Sequence, residues 1–423
     1  MLTVLNSAWA LLLGLFLLMI GNGLQGTLLG VRGEIEGFSA FEMSVVMAAY
    51  FVGFLGGSRM APRMIARVGH VRVFSALASM VSAVVILFPV FTDPWLWAIG
   101  RLVIGFCFSG VYVTAESWLN NTATNETRGQ TLSVYVLVQV VGLIAGQALL
   151  VVADPSGFVL FVIPAVLVSI SFAPILLSVS PAPAFGTAKP MTLAALYKVS
   201  PLGLVGMLLL GTVFSAQFGM SAVYGAEAGL SVQEISIFVS AFFVGALVLQ
   251  YPLGWLSDRM DRRVLILGTA AVGTAGAVLG LMLGAARTEL LLAAALLIGG
   301  VSNPLYSLLI AYTNDFLEPD DMAAASSGLV FVNGVGAIVG PLAAGWVMQV
   351  IGPPGFFATI AAFFALLVGY AAWRMTQRPA PAAEETGTYA PLGPTVTPVA
   401  VEFAQEYAID TALEEQENPD DAR

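Results

Sequence analysis

The sequence predicts an all-α membrane protein of twelve transmembrane helices arranged as two similar six-helix halves. Three observations carry that expectation. Of the 423 residues, 58% are hydrophobic and only 10% charged, with a mean hydropathy of +0.90, which is more apolar surface than a soluble core can bury. Apolar runs of about twenty residues recur almost end to end, the length a helix needs to cross about 30 Å of hydrocarbon. The same residues then return at a fixed offset in the second half of the chain.

In chain order, helix 1 spans 8–29. It lacks a basic leader and outruns a signal-peptide core, so it is retained as a membrane helix. Helices 2 to 6 follow over 43–60, 73–90, 95–116, 132–152 and 158–179. A linker at 181–200 with Pro181, Pro183 and Pro190 ends in a short surface helix. Helices 7 to 12 occupy 203–224, 235–256, 264–283, 290–312, 325–350 and 356–373. Prolines and glycines inside these spans are compatible with a bundle, because neighbouring helices re-satisfy freed backbone groups. The domains expected are thus 1–180, the linker 181–200, 201–375 and a tail, 376–423. In the tail Glu384, Glu385, Glu402, Glu406, Asp410, Glu414, Glu415, Glu417, Asp420 and Asp421 face only Arg378 and Arg423, and this composition reads as a disordered acidic segment. Cys107 is the single cysteine, so neither a disulfide nor a cysteine metal site is available.

Orientation follows from the loops. Arg59, Arg63, Arg67, Arg72, Arg128, Lys189, Lys198, Arg259, Arg262, Arg263, Arg374 and Arg378 fall on one side and only Arg32 and Arg287 in loops of the other. By the positive-inside rule both termini are expected in the cytoplasm, with the chain in a bacterial inner membrane. Trp95, Trp118, Trp255 and Trp373 lie near helix ends, where an interfacial belt places them.

A shift of 194 superposes Gly105 on Gly299, Tyr112 on Tyr306, Asn120 on Asn314, Gln139 on Asn333, Gly142 on Gly336 and Gly146 on Gly340. A shift of 192 superposes Gln25 on Gln217 and Phe51-Val52-Gly53 on Phe243-Val244-Gly245. Both preserve topology and so predict parallel repeats. A glutamine recurring in helices 1 and 7 needs a polar partner or water at membrane depth.

After helix 8 the chain reads Gly254-Trp255-Leu256-Ser257-Asp258-Arg259-Met260-Asp261-Arg262-Arg263. This resembles the loop signature of the major facilitator superfamily, a glycine followed four positions later by Asp-Arg and then a basic pair. The resemblance implies the major facilitator fold and a loop that helps latch a cytoplasmic gate through Asp258, Arg259 and Arg262. At the equivalent place after helix 2, Ala66 stands where the family has aspartate, while Arg67 and Gly69 match. His70 in this loop reads as a surface residue. Arg101 followed by Gly105 looks like the family's helix 4 arginine motif, which the resemblance associates with proton coupling. In helix 5, Gln147 replaces the proline of the family's proton antiporters. The run Val113 to Asn120 followed by Arg128-Gly129 is similar to the YcaD-like branch.

If that fold holds, helices 1, 4, 7 and 10 line a central cavity flanked by helices 2, 5, 8 and 11. The expected substrate residues are Asn22, Gln25, Tyr112, Gln139, Gln217, Tyr224, Asn303, Tyr306 and Asn333. These neutral groups suit an uncharged, zwitterionic or amphiphilic solute. Glu116 lies fifteen residues beyond Arg101, roughly 22 Å along the helix, and is a gate candidate paired with Arg67 or Arg128. The function expected is secondary transport of a small organic solute by alternating access, by a monomer in the lipid bilayer, with proton coupling and uniport both open. No cofactor or nucleic acid is expected. The chain has no phosphate-binding Gly-Lys-Ser/Thr loop for ATP, and no metalloprotease helix or nucleophile-base pair for an enzyme. The alternative is a non-transporting assembly factor or sensor that binds a partner through its acidic tail.

Overall fold

The computed structural model describes residues 2–124, 127–177, 191–283, 287–377, 389–393 and 396–417. The linker prolines 181, 183 and 190, with Lys189 and Arg378, lie outside the described residues. All regular structure within them is helical. The first half comprises α1 (Leu2–Ile35), α2 (Ala40–Val68), α3 (His70–Leu87), α4 (Pro94–Thr122), α5 (Arg128–Leu149), α6 (Val159–Ser171) and the short α7 (Ala173–Leu177). The second comprises α9 (Pro201–Glu227), α10 (Val232–Ser257), α11 (Arg262–Leu283), α12 (Thr288–Asn314), α13 (Pro319–Ile351) and α14 (Gly355–Met375), and between the halves lies α8 (Leu193–Val199), capped by the Thr192 hydroxyl. With α6 and α7 counted as one span, twelve segments among the described residues are long and apolar enough to cross a membrane.

The halves repeat each other in packing. Pairs α2 and α4, α1 and α5, α3 and α6 in the first half correspond to α10 and α12, α9 and α13, α11 and α14 in the second. The duplicated glycines make the tightest crossings. A methyl at Gly105 would overlap the Tyr50 carbonyl and one at Gly53 the Leu102 carbonyl; Gly299 and Gly245 stand in the same relation to the carbonyls of Phe242 and Leu296. Only a residue without a Cβ lets these backbones approach so closely. The turns repeat as well. Gly37 and Gly229 adopt positive φ (78° and 76°), and Ser39 with Glu42, like Ser231 with Glu234, forms a reciprocal capping box at the start of α2 and α10. Each such cap satisfies two otherwise orphaned N–H groups and contributes on the order of 1 kcal/mol.

Helices α1, α4, α9 and α12 are the most buried, while α3, α6, α11 and α14 form the outer walls. Two expectations are corrected. His70 is buried, not at the surface: it opens α3 with Nε2 3.0 Å from the Ser117 hydroxyl and its ring edge-on to Trp118. Part of the tail, where disorder was expected, is helical and packed. Pro398–Glu417 forms helix α15, and Tyr389, Leu392, Val396, Ala400, Val401, Phe403 and Ala404 are buried. Composition averaged over the tail concealed this, because its apolar residues lie between the acidic ones and share the inward side.

Candidate functional site: a cavity between the halves

At the end remote from the arginine-rich loops the halves pack directly. Gly30 of α1 meets Ala222 of α9, where an added Cβ would come within 2.7 Å, and Gly345 of α13 sits on Ser44 of α2. The Ser236 hydroxyl on α10 donates to the Gln147 carbonyl on α5 at 2.7 Å. Toward the other end, a cavity of about 840 Å³ lies between them. Its walls are aromatic, with Tyr50, Phe51 and Phe54 from α2, Phe214 and Phe218 from α9 and Phe331 from α13. Arg59, whose guanidinium lies 4.4 Å over the Phe331 ring, and Arg63 border it, as do Val396, Val399 and Glu402 of the tail.

Only some of the expected substrate residues border a cavity. Asn333 lines the large one, with its amide donating to the Met207 carbonyl at 3.1 Å. Gln217 and Asn303 line a smaller one beside Phe214 and Phe218, and Gln217 accepts from the Ser302 hydroxyl at 3.1 Å. Gln25 instead holds Arg101: its carbonyl oxygen accepts from the guanidinium at 3.0 Å, and the Tyr50 ring lies 4.5 Å beneath the same group. Arg101 is thus a fully buried cation between neutral partners. Asn22 reaches the Tyr112 hydroxyl at 3.5 Å, and Tyr112 in turn points at the Met19 sulfur. Gln139 and Tyr306 are buried, Gln139 one turn from Tyr135. Tyr224 is not a cavity residue. It stacks on Phe356 with centroids 5.1 Å apart, against the outer wall of its own half.

The gate candidates are also rearranged. Glu116 pairs with neither Arg67 nor Arg128; it accepts from the Tyr135 hydroxyl at 2.6 Å and from the Thr397 backbone N–H at 3.3 Å and side-chain hydroxyl. Arg67 is exposed, and Arg128 forms an ion pair with Glu406 at 3.3 Å. In the loop after α10, Arg262 is buried and bonded to Asp315 at the end of α12, to the Ser257 hydroxyl at 3.1 Å and to the Ala311 carbonyl at 3.3 Å. The motif therefore ties three helices of one half together. Arg259 packs on Trp255. Burial raises the Asp258 carboxyl above its ordinary range, partly offset by the Tyr389 N–H, 3.0 Å away, and by Arg262 and Arg259. At Asp261 burial acts the same way but is outweighed by Arg263, which holds that carboxyl low.

Sequence reasoning missed Tyr135, Ser302, Asp315 and Thr397. None lies in a spacing motif, and each is found only when helices distant in sequence are brought together. Tyr389, Leu392 and Gln405 were hidden in the tail. There Gln250 donates to the Tyr389 hydroxyl at 3.0 Å, the Ser307 hydroxyl accepts from the Leu392 N–H at 2.8 Å and donates to its carbonyl at 3.0 Å, and the Gln405 amide donates to Asn314, the Met322 carbonyl and Ser326.

Two six-helix halves, packed directly at one end with a cavity between them, have the architecture of a membrane transporter. Comparison with known proteins agrees: the profile of the Major Facilitator Superfamily matches residues 11–231 and again residues 202–399. The chain belongs to that superfamily of secondary transporters. It is 25% identical over 344 residues to the uncharacterised MFS-type transporter YcaD of Salmonella heidelberg (strain SL476), covering 80% of this chain and 88% of that one. The YcaD of Salmonella paratyphi A (strain ATCC 9150 / SARB42) is 25% identical over 354 residues, covering 82% and 91%. Among solved structures, a mutant form of the nucleoside transporter NupG superposes with a TM-score of 0.73 at 13% identity, covering 86% of this chain and 98% of that one. A mutant form of the E. coli fucose:proton symporter FucP superposes with a TM-score of 0.55 at 14% identity, covering 88% and 99%.

Proposed function

We propose that the chain carries a small neutral, zwitterionic or amphiphilic organic solute across the bacterial inner membrane by alternating access, with its termini and the arginine-rich loops in the cytoplasm. The observation that carries this reading is the aromatic-walled cavity between the halves, bordered by the neutral amide of Asn333, with those of Gln217 and Asn303 lining the smaller cavity that shares its Phe214 and Phe218. Aromatic faces suit an apolar or planar body, and a few amides fix its orientation. A multiply charged solute would need more opposite charges than these walls supply. NupG and FucP, by their names, carry a nucleoside and fucose, both neutral organic solutes.

Proton coupling belongs to the same reading, through the buried Glu116 carboxyl or the buried Arg101. A Glu116→Gln protein that still accumulates solute against its gradient assigns coupling elsewhere. The alternative, a non-transporting assembly factor or sensor that binds a partner through its acidic tail, is separated by deleting the tail: transport survives that deletion and a docking role does not.

The test is a thermal-stability screen of purified protein against sugars, amino acids, nucleosides, organic acids and amphiphilic drugs. A ligand at a hundred times its dissociation constant stabilises by about 2.7 kcal/mol. A hit abolished by Gln217→Ala or Asn333→Ala supports the reading and names the class; a hit indifferent to both contradicts the site.

A further inference from the structure

We infer that residues 389–393 and 396–407 are an intramolecular plug, which straps the two halves together and bars the cavity from the arginine-bearing face until it is released. The segment is bonded to both halves. On the first it is held at Glu116 through Thr397 and at Arg128 through Glu406; on the second at Asp258 through Tyr389, at Ser307 through Leu392 and at Ser326 through Gln405. It also enters deeply. Gly393 approaches Asn303, where an added Cβ would stand 3.8 Å from the amide oxygen. Asn303 lies eleven residues inside the end of α12, about 16 Å at the helical rise.

The fit is specific rather than merely apolar. The backbone N–H groups of Tyr389, Leu392 and Thr397 are each taken by a side chain of the bundle. Buried backbone donors demand such partners, and the bundle supplies them at Asp258, Ser307 and Glu116. Alternating access requires the halves to move against each other at this face. A segment bonded to both opposes that motion and, while seated, excludes solute from Asn303. This inference deepens the transporter reading, but its placement is tested without any substrate.

The experiment is maleimide labelling of Asn303→Cys in purified full-length protein carrying Cys107→Ala. With the plug seated, labelling is expected to be at least tenfold slower than in the same chain ending at Gln377. Leu392→Asp, which sets a carboxylate in a buried apolar position but leaves every membrane helix unaltered, is expected to label as fast as the truncated chain, and it decides the matter if truncation impairs folding. Thr397→Ala is expected to fall between. Equal rates in the full-length and Leu392→Asp proteins overturn the plug. Faster labelling without solute transport in any released variant leaves the plug standing and counts against the transporter reading alone.

Discussion

At the scale of single residues, the polar groups inside the bundle divide between those holding helices together and those free to meet a solute. Arg101 is the clearest of the first kind, because among the described residues its charge is buried against Gln25 and the Tyr50 ring. Removing one partner of a buried hydrogen bond costs about 1–3 kcal/mol, more for a charged group. Gln25→Ala is therefore expected to lower the melting temperature in detergent more than Gln217→Ala, whose partner Ser302 also donates to the Ile298 carbonyl. Equal losses would show that Arg101 finds another acceptor. The sequence identified both glutamines and their recurrence, but not their partners. Spacing along one helix does not reveal which side chain of another helix faces it, and for that reason Tyr135 and Thr397 were invisible as the partners of Glu116.

At the scale of elements, the duplicated glycines separate crossing points from open helix faces. Gly105→Ala and Gly299→Ala press a methyl into a backbone carbonyl, which cannot move aside as a flexible side chain can. Each is expected to destabilise by about 1–3 kcal/mol. Gly268→Ala and Gly369→Ala meet nothing within 4 Å and are expected to be neutral or to stabilise by up to about 1 kcal/mol. Thermal unfolding of the four proteins under one condition checks the contrast. Here the sequence was most legible, since run length located all twelve spans and the two offsets paired the right helices. The 192-residue offset extends further than the residues that first revealed it, to Gly37 with Gly229 and to the capping boxes at Ser39 and Ser231. The linker was legible only to the surface helix α8, as its prolines lie outside the described residues.

At the scale of the whole molecule, the two halves are sealed at one end and joined by the tail at the other. This contact was the least legible feature, because net charge outweighed a handful of apolar residues in the tail. The same acidity gives the plug a pH dependence. Burial, then the neighbouring Glu406, raises the Glu402 carboxyl from its ordinary value of 4.5, while Arg59 and Arg63 border the same cavity. A carboxyl whose seated pKa is raised binds its proton more tightly there, so its contribution to seating is fully present below pH 4.5 and is lost as pH rises through the raised value. Labelling of Asn303→Cys, corrected for the reactivity of a free thiol at each pH, is expected to quicken across that range, and Glu402→Gln is expected to flatten the dependence. An unchanged profile in Glu402→Gln assigns the titration to another group.

Motion of the two halves about the cavity is most directly tested by electron-spin distance measurement between labels at Arg67→Cys and Arg259→Cys, exposed positions on opposite halves at the arginine-bearing end. In the full-length chain with Cys107→Ala a single narrow distance is expected, and with Leu392→Asp a second population is expected beside it. One unchanged distance in both proteins, with the cavity shown to be open by labelling, would contradict the account, for the halves would then be rigidly joined and unable to alternate.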